Sequence, residues 1–215
     1  MGSLVADVMT YNVVAVRQEA EFKDIVAVMN RRRVSAFPVL DNRNRVIGVV
    51  SEADLLPREA YEAGRKQGGE HGGHARRIPA KASALTAGEL MTSPAITIGP
   101  RAPVAEAASV MYSKKVKRLP VVDEDGGLVG IVSRVDLLGV YDRPDEDIRA
   151  EINERVLAGD FVFDPREFGV AVDNGIVTIA GRVARHDVAM SLLRAIWDVA
   201  GVVDVRDRLS YPDAG

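Results

Sequence analysis

One nine-residue sequence occurs twice in this chain, as GVVSEADLL from Gly48 to Leu56 and as GIVSRVDLL from Gly130 to Leu138. The offset from position 48 to position 130 is 82 residues, and it holds without a gap when Ala6–Leu56 is laid against Gly88–Leu138. Chance does not hold one register over so many positions. The chain therefore contains two copies of one supersecondary unit, and neither copy is large enough to bury a sizeable core alone.

Each copy has the same order of predicted elements. In the first copy a short extended segment (13–16) comes before a helix whose apolar residues lie at helical spacing within positions 22–29. A strand (36–40), a polar turn and a second strand follow, and a second helix begins at Ser51. The order β-α-β-β-α, present twice, predicts the α/β (α+β) fold class, in which two repeats related by a pseudo-twofold axis share a core.

The C-terminal third does not match the repeat. A predicted amphipathic helix begins at Asp145, and two alternating strands flank the turn sequence Asn174-Gly175, which strongly favours a hairpin. A second helix, closed by Gly201, and a last strand complete the order α-β-β-α-β. We expect the apolar side chains of this segment, including that of Trp197, to form the core of a small separate domain.

The predicted segments are a first repeat at 1–60, a flexible linker at 61–87, a second repeat at 88–142 and the small domain at 145–212. The linker is rich in glycine and basic residues and poor in bulky apolar residues, a composition typical of flexible chain. It contains His71 and His74. Two histidines on a glycine-rich segment, without a third histidine nearby, are more typical of solvated side chains, so no metal site is predicted.

Composition excludes several classes of protein. The net charge of −3 gives no overall basic field for nucleic acid, and the absence of cysteine excludes disulfides and thiolate chemistry. The N-terminal residues lack the features of a signal peptide, and no apolar run is long enough to span a bilayer. We therefore expect a cytoplasmic protein. His186 is the one histidine outside the linker and no nucleophile–base spacing is present, so we expect that the chain is not an enzyme.

The repeated Ser-x-x-Asp motif, at residues 51–54 and 133–136, has two interpretations. In the first, each serine caps a helix and the acid three residues later completes a capping box. In the second, the same helix start binds a nucleotide: serine donates to phosphate or sugar oxygens, and a carboxylate accepts hydrogen bonds from both hydroxyls of a ribose diol. In the second repeat Lys117 and Arg118 precede the neighbouring strand and would add phosphate ligands.

These motifs resemble tandem CBS domains, the Bateman module, over roughly Leu4 to Tyr141 apart from the linker. The resemblance rests on the Met-Thr start of each copy, the Pro-Val-x-Asp strand and the Gly-x-x-Ser-x-x-Asp-Leu-Leu motif. It implies a homodimeric module that binds an adenosine-containing ligand (AMP, ADP, ATP, NAD or S-adenosylmethionine) in the cleft between the repeats, with no metal required. The implied ribose-diol ligands are Asp54 and Asp136, the implied ribose or phosphate ligands are Ser51, Ser133, Thr97, Lys117 and Arg118, and the implied walls of the adenine pocket are Phe37, Pro38, Leu119 and Pro120.

The two predicted nucleotide sites are not equivalent. The first repeat has Ala15 where the second has Thr97, and Ser35-Ala36 where the second has Lys117-Arg118. Because a guanidinium can engage two phosphate oxygens, we expect the second site to be the better filled one and to favour more anionic ligands.

From Asp145 to about Tyr211 the chain resembles a BON domain, on its opening helix, its hairpin FGVAVDNGIVTIAGRV with Gly181 and its closing sequence VAGVVDVRDRL. The resemblance implies contact with phospholipid, another apolar surface or a protein. Two functions are compatible with the whole chain. One is a regulatory signal-transduction protein that senses an adenine nucleotide and relays it through the dimer and the BON domain. The other is a dimeric scaffold or tether whose BON domain binds a phospholipid surface or a protein partner, without nucleotide sensing.

Overall fold

The computed structural model describes residues 3–57 and 84–211. Most of the predicted linker, with His71 and His74, lies outside the described residues. The chain divides into two compact units. The first unit consists of Thr10–Pro100 and Leu119–Ile131, and the second of Met1–Met9, Arg101–Arg118 and Val132–Gly215.

The helices and the central hairpins of both repeats form as predicted. The first repeat consists of α1 (Val5–Val8), β1 (Val16–Arg17), α2 (Phe22–Arg32), β2 (Ala36–Leu40), β3 (Val46–Ser51) and α3 (52–57). The second repeat consists of α4 (Ala87–Leu90), α5 (Val104–Ser113), β4 (Arg118–Val122), β5 (Leu128–Ser133) and α6 (Arg134–Leu138). The four-residue helices α1 and α4, which open the repeats, are additions that the hydrophobic pattern did not predict.

Isolated backbone bridges repeat the 82-residue offset. Leu4 pairs with Pro103 within the second unit, and Glu21 pairs with Thr86 within the first. Adding 82 to positions 4 and 21 gives 86 and 103. The two bridges therefore join equivalent positions of the repeats, with the roles of the first and the second repeat exchanged. This supports the pseudo-twofold relation predicted from the sequence.

A second pair of bridges, both inside the first unit, has the same symmetry. Thr10 pairs with Ile131, and Val49 pairs with Thr92. In the latter bridge the Thr92 N–H donates to the Val49 carbonyl at 2.9 Å and the Val49 N–H donates to the Thr92 carbonyl at 3.1 Å. The Met-Thr start of each repeat therefore pairs with the last strand of the other repeat.

The first strand of each repeat is shorter than the four residues predicted. Val16–Arg17 pairs in parallel with Val39–Leu40 of β2, and in the second repeat Ile98 alone forms a bridge, with Val121. The β2 residue before the paired segment is Pro38, which has no N–H to donate to a neighbouring strand. The proline of the repeated motif therefore sets one end of the pairing.

The core around the first repeat's hairpin includes residues from the start of the second repeat. Its buried side chains are Ile25, Met29, Phe37, Val39, Val50, Leu55, Ala84, Ala87 and Leu90. Met91 packs against this core. A Cβ atom on Gly48 would lie 2.4 Å from the Met91 sulfur. The glycine that begins both nonapeptides thus has a steric reason in the first copy, because a larger residue at position 48 would overlap this methionine.

The C-terminal segment folds in the predicted α-β-β-α-β order within the second unit. Its elements are α7 (Asp145–Glu151), a π-helix (Ile152–Asp160), β6 (Gly169–Asp173), β7 (Ile176–Arg182), α8 (His186–Trp197) and β8 (Asp204–Ser210). The sheet order is β6-β7-β8, with β6 antiparallel and β8 parallel to β7. The fully buried residues of its core include Ile148, Ile152, Val177, Ile179, Leu192 and Ile196.

The Asn174-Gly175 turn forms the predicted hairpin, and the start of α7 holds it. Both turn residues have positive φ, 51° and 75°, as a two-residue type I′ turn requires. The Asp145 carboxylate accepts hydrogen bonds from the Asn174 N–H at 2.7 Å and the Gly175 N–H at 2.8 Å. One aspartate therefore fixes the opening helix of this domain to its hairpin.

Two features of this domain differ from the prediction. The opening helix does not continue as an α-helix to its end, because Ile152–Asp160 forms a π-helix. Trp197 is not in the core, since 49% of its surface is exposed. It follows the buried Ile196 by one position, which turns its side chain about 100° away from the buried face of α8.

Candidate functional site

The first Ser-x-x-Asp motif lies where β3 ends and α3 begins. The Oδ2 atom of Asp54 accepts hydrogen bonds from the Ser51 N–H at 2.8 Å and from the Ser51 hydroxyl at 2.7 Å. Both residues are half-buried. The carboxylate thus reaches back to the residue just before the helix, as the cap interpretation requires.

The second motif repeats this geometry at the start of α6. The Oδ2 atom of Asp136 accepts from the Ser133 N–H and the Ser133 hydroxyl, both at 2.7 Å, and the Asp136 N–H donates to the Ser133 hydroxyl oxygen at 3.5 Å. This is a capping box. The cap interpretation is confirmed here, and it leaves the second oxygen of each carboxylate to be accounted for.

The second carboxylate oxygens differ between the two copies. The Oδ1 atom of Asp54 accepts a hydrogen bond of 3.4 Å from the hydroxyl of Thr92. Within 3–57 and 84–211, Asp136 makes no hydrogen bond through its Oδ1 atom. Sequence reasoning did not assign Thr92 to the site, although its place in the repeated Met-Thr pair was a signal that could have found it.

The predicted phosphate ligands are accessible to different degrees. The Lys117 side chain is exposed, whereas Arg118 and Thr97 are half-buried. The backbone carbonyl of Lys117 accepts from the Arg134 N–H at 3.1 Å. Lys117 and Arg118 belong to the second unit with Ser133 and Asp136, and Thr97 belongs to the first unit.

The residues predicted to wall the adenine are all buried. Phe37 and Leu119 have no exposed surface, and Pro38 and Pro120 are also in the buried class. A side chain without exposed surface offers no face to a ligand. The adenine contact stays a prediction, and it requires that these residues become accessible when a ligand binds.

The aspartate that follows the Pro-Val strand has a structural role in the first repeat. Asp41 accepts hydrogen bonds from the N–H groups of Arg43 and Arg45, at 2.8 and 2.9 Å, and from the Arg45 guanidinium at 2.7 Å. The backbone hydrogen bond from Arg45, together with the Arg45 guanidinium and the Arg43 N–H, holds the pKa of Asp41 below its ordinary value. This residue therefore fixes the hairpin turn with its charge retained.

The described residues hold no group of three or more histidine, cysteine, aspartate or glutamate side chains that could bind a metal ion. None of the described helices combines the length and the apolar character needed to cross a bilayer.

Comparison with known families assigns both parts of the chain. A model of the CBS domain matches residues 5–60 and 87–143, which together make up more than half of the sequence. The chain belongs to the CBS-domain family. A model of the BON domain matches residues 144–213, directly after the second CBS repeat. The resemblance drawn from the repeated motifs and from the C-terminal pattern is thereby confirmed.

Among curated proteins, the chain is similar to the chloroplastic CBS domain-containing protein CBSX2 of Arabidopsis thaliana. The two are 29% identical over 146 residues, which is 62% of this chain and 61% of CBSX2. The match thus spans less than two thirds of that protein's length.

Solved structures support the CBS-pair fold. A crystal structure of CBSX2 in complex with AMP is 28% identical, with a TM-score of 0.51, and covers 64% of this chain and 95% of that one. The CBS domain pair of protein MJ0100, crystallised with 5-methylthioadenosine and S-adenosyl-L-methionine, has a TM-score of 0.53 at 19% identity and covers 66% of this chain and 98% of that one. The second likeness concerns the fold alone.

Proposed function

We propose that this chain is a non-catalytic regulatory protein whose CBS repeats sense an adenosine-containing nucleotide, such as AMP, ADP, ATP or NAD. The observation that carries the proposal is the Asp136 carboxylate at the start of α6. Its Oδ2 atom holds the cap, and its Oδ1 atom makes no hydrogen bond to any described residue. Asp136 is half-buried as a residue, and its Oδ1 atom can accept a hydrogen bond from a ribose hydroxyl without loss of the cap.

The AMP complex of CBSX2 supports the choice of ligand. That protein is similar to this chain over the CBS repeats, and an adenine nucleotide is bound in its structure. We infer that the same class of ligand binds here. The proposed ribose ligands are Asp54 and Asp136. The proposed ligands of the ribose or the phosphate are Ser51, Ser133, Thr97, Lys117 and Arg118. The proposed adenine contacts are Phe37, Pro38, Leu119 and Pro120.

The second repeat is proposed as the site that fills first. The exposed cation of Lys117 and the half-buried Arg118 supply positive charge for a phosphate. The corresponding positions of the first repeat are Ser35 and Ala36, which carry no charge. In the first repeat the Asp54 carboxylate also accepts the Thr92 hydroxyl, so a ribose would have to displace that hydrogen bond.

A homodimer through the CBS repeats is part of the proposal. Side chains of α5 and α6 leave large apolar groups in solvent: Tyr112 is 87% exposed, Val135 77% and Leu138 65%. A groove of about 680 Å³ lies between these helices, with Met111 and Leu137 in its lining. An apolar surface of this kind is typical of a protein contact, and a second copy of the chain is the proposed occupant.

The alternative function, a tether without nucleotide sensing, is favoured by one feature of the BON domain. Met190 and Trp197 on α8 are 52% and 49% exposed. They lie seven positions apart and so share one side of the helix. These two side chains are the proposed contact with a lipid surface or a protein partner, and vesicle flotation of the full chain with both changed to serine tests that contact.

Equilibrium titration of the full chain with AMP, ATP and NAD tests the main proposal. Binding of at least one of them is expected. A folded protein that binds none of the three would contradict nucleotide sensing and leave the tether as the remaining function.

A further inference from the structure

The BON-domain sheet has two edges of opposite character. The outer strand β8 carries charged residues at four of its seven positions, Asp204, Arg206, Asp207 and Arg208, and all four are exposed. Charges of this kind are one of the means by which proteins keep an edge strand from pairing with another chain. This edge is therefore protected.

The other edge, β6, has only one charged residue, Asp173. Its sequence is Gly-Val-Ala-Val-Asp, without lysine, proline or a bulge, and it pairs with β7 in an unbroken register from Gly169↔Ala180 to Asp173↔Ile176. Gly169, Ala171 and Asp173 are exposed. Within the described part of the chain, no backbone hydrogen bond to the far side of β6 is present. Among the described residues, the alternate N–H and C=O groups on that side therefore have no backbone partner and can pair with another strand.

We propose that β6 pairs antiparallel with β6 of a second copy of this chain, with Ala171 on the twofold axis. In that register Val170 lies opposite Val172 of the second copy, and Gly169 lies opposite Asp173. Two small alanines meet at the axis, and the valines form two equal cross-strand apolar pairs. Val170 and Val172 already pack against the domain core, so this pairing extends the core across the contact.

The charges of the strand also suit a second copy. Asp173 is the one charged residue of β6, and the twofold axis places the two Asp173 residues at opposite ends of the contact, facing glycine. Like charges therefore do not meet. The contact is isologous, since the same strand serves both copies, and it joins two three-stranded sheets into one sheet of six strands. It does not depend on the nucleotide proposal.

A single introduced thiol tests this contact, because the chain has no cysteine of its own. Residues directly opposite in an antiparallel pair have Cα atoms about 4.5–5.5 Å apart, within the range of a disulfide. Oxidised full-length Ala171→Cys is expected to form a covalent dimer at micromolar concentration. Ser210→Cys, on the protected edge, is the matched control. Cross-linking of Ala171→Cys no greater than that of the control would overturn the proposal.

Charge substitution at the same position gives a second test that needs no cross-link. Ala171→Lys and Ala171→Glu each place like charges opposite one another at the axis, and each is expected to weaken self-association by tenfold or more in sedimentation velocity. A mixture of the two places opposite charges there and is expected to restore association. Unchanged association of both variants, or no recovery on mixing, would contradict the β6 contact, whatever the state of the contact through α5 and α6.

Discussion

The hydroxyl of Thr92 donates a hydrogen bond of 3.4 Å to the Oδ1 atom of Asp54, which lies 38 positions earlier in the chain. The contact joins the start of the second repeat to the Ser-x-x-Asp motif of the first. It also makes the two Ser-x-x-Asp motifs differ in structure although they are nearly identical in sequence, because both oxygens of Asp54 accept protein hydrogen bonds. The Asp136 carboxylate, by contrast, accepts hydrogen bonds from the described residues through its Oδ2 atom. The two carboxylates are therefore unequal candidates for a ribose.

Replacement of the two aspartates is expected to affect AMP binding unequally. Asp136→Asn keeps one oxygen for the cap but replaces the other with an NH2 group, which cannot accept hydrogen bonds from ribose hydroxyls. We therefore expect AMP affinity to fall at least tenfold, equivalent to about 1.4 kcal/mol. Asp54→Asn is expected to have a smaller effect. Isothermal titration of both variants measures the difference, and equal losses would contradict the asymmetry of the sites.

The capping box at α4 offers a matched control for this experiment. The Glu89 carboxylate accepts from the Thr86 N–H at 3.2 Å and the Leu85 N–H at 2.7 Å, in the geometry of a cap, but it is outside the predicted site. We expect Glu89→Gln to cost about 1 kcal/mol of unfolding free energy and to leave AMP affinity unchanged. A loss of affinity in this variant would show that general destabilisation explains the aspartate results.

Gly48→Ala is expected to destabilise the first unit by about 1–3 kcal/mol, because the new methyl group would overlap the Met91 side chain. Chemical denaturation measures the change. In a Met91→Ala background, Gly48→Ala should cost less unfolding free energy than it does in the parent chain. Gly139→Ala is the control, since a Cβ atom there has nothing within 4 Å. Equal costs at positions 48 and 139 would contradict the close packing of β3 against Met91.

The exposed apolar groups of α5 and α6 give a prediction for dimerisation through the CBS repeats. We expect Val135→Lys, in an Ala171→Lys background that removes β6 pairing, to raise the dimer dissociation constant by tenfold or more. The reason is that it places a charge in an apolar contact, and Val135 is 77% exposed, so the fold itself should tolerate the change. Sedimentation equilibrium checks it. A dissociation constant that does not change would place the dimer contact elsewhere.

Local patterns in the sequence were sufficient to predict much of this fold. The 3.6-residue spacing of apolar positions correctly predicted α2 and α5, and the Asn174-Gly175 pair predicted the β6–β7 hairpin. The serine and aspartate of the repeated motif were correctly assigned to helix starts. Such features depend on residues close together in the chain, so their signal is present in a single sequence.

Features that depend on distant partners could not be predicted in this way. The bridge between Val49 and Thr92 and the insertion of Leu90 into the first repeat's core join residues far apart in sequence. The gapless repeat shows that two copies exist, but not that the first segment of each copy pairs with the last strand of the other copy. The burial of Phe37 and the exposure of Trp197 likewise depend on neighbours that local spacing does not identify.

Stability of the BON domain is expected to fall on acidification through Glu151. Its carboxylate accepts from Arg143 at 2.7 Å and from Arg155 at 2.9 Å. Burial raises the pKa of Glu151, but the hydrogen bonds and charges of these two arginines outweigh it, so its pKa lies below the ordinary value. A lowered pKa in the folded state stabilises the fold above the unfolded pKa, about 4.3, and this stabilisation is lost as pH falls through the folded pKa.

Glu151→Gln should therefore be less stable than the parent chain at pH 7 and should lose less stability between pH 7 and pH 3. Thermal denaturation at a series of pH values measures both quantities. Glu154→Gln, which changes an exposed glutamate without an ion pair among the described residues, is the control. Parallel pH profiles for Glu151→Gln and the parent chain would contradict the role assigned to this network.

The most direct test of nucleotide sensing is the titration of the full chain with AMP, with Asp136→Asn in parallel. The proposed function predicts saturable binding by the parent chain and an affinity at least tenfold lower for the variant, while both proteins show the same folded circular-dichroism spectrum. Absence of AMP, ATP and NAD binding by the folded parent chain, or equal affinities of parent and variant for whichever nucleotide binds, would contradict the assignment of Asp136 to a nucleotide site.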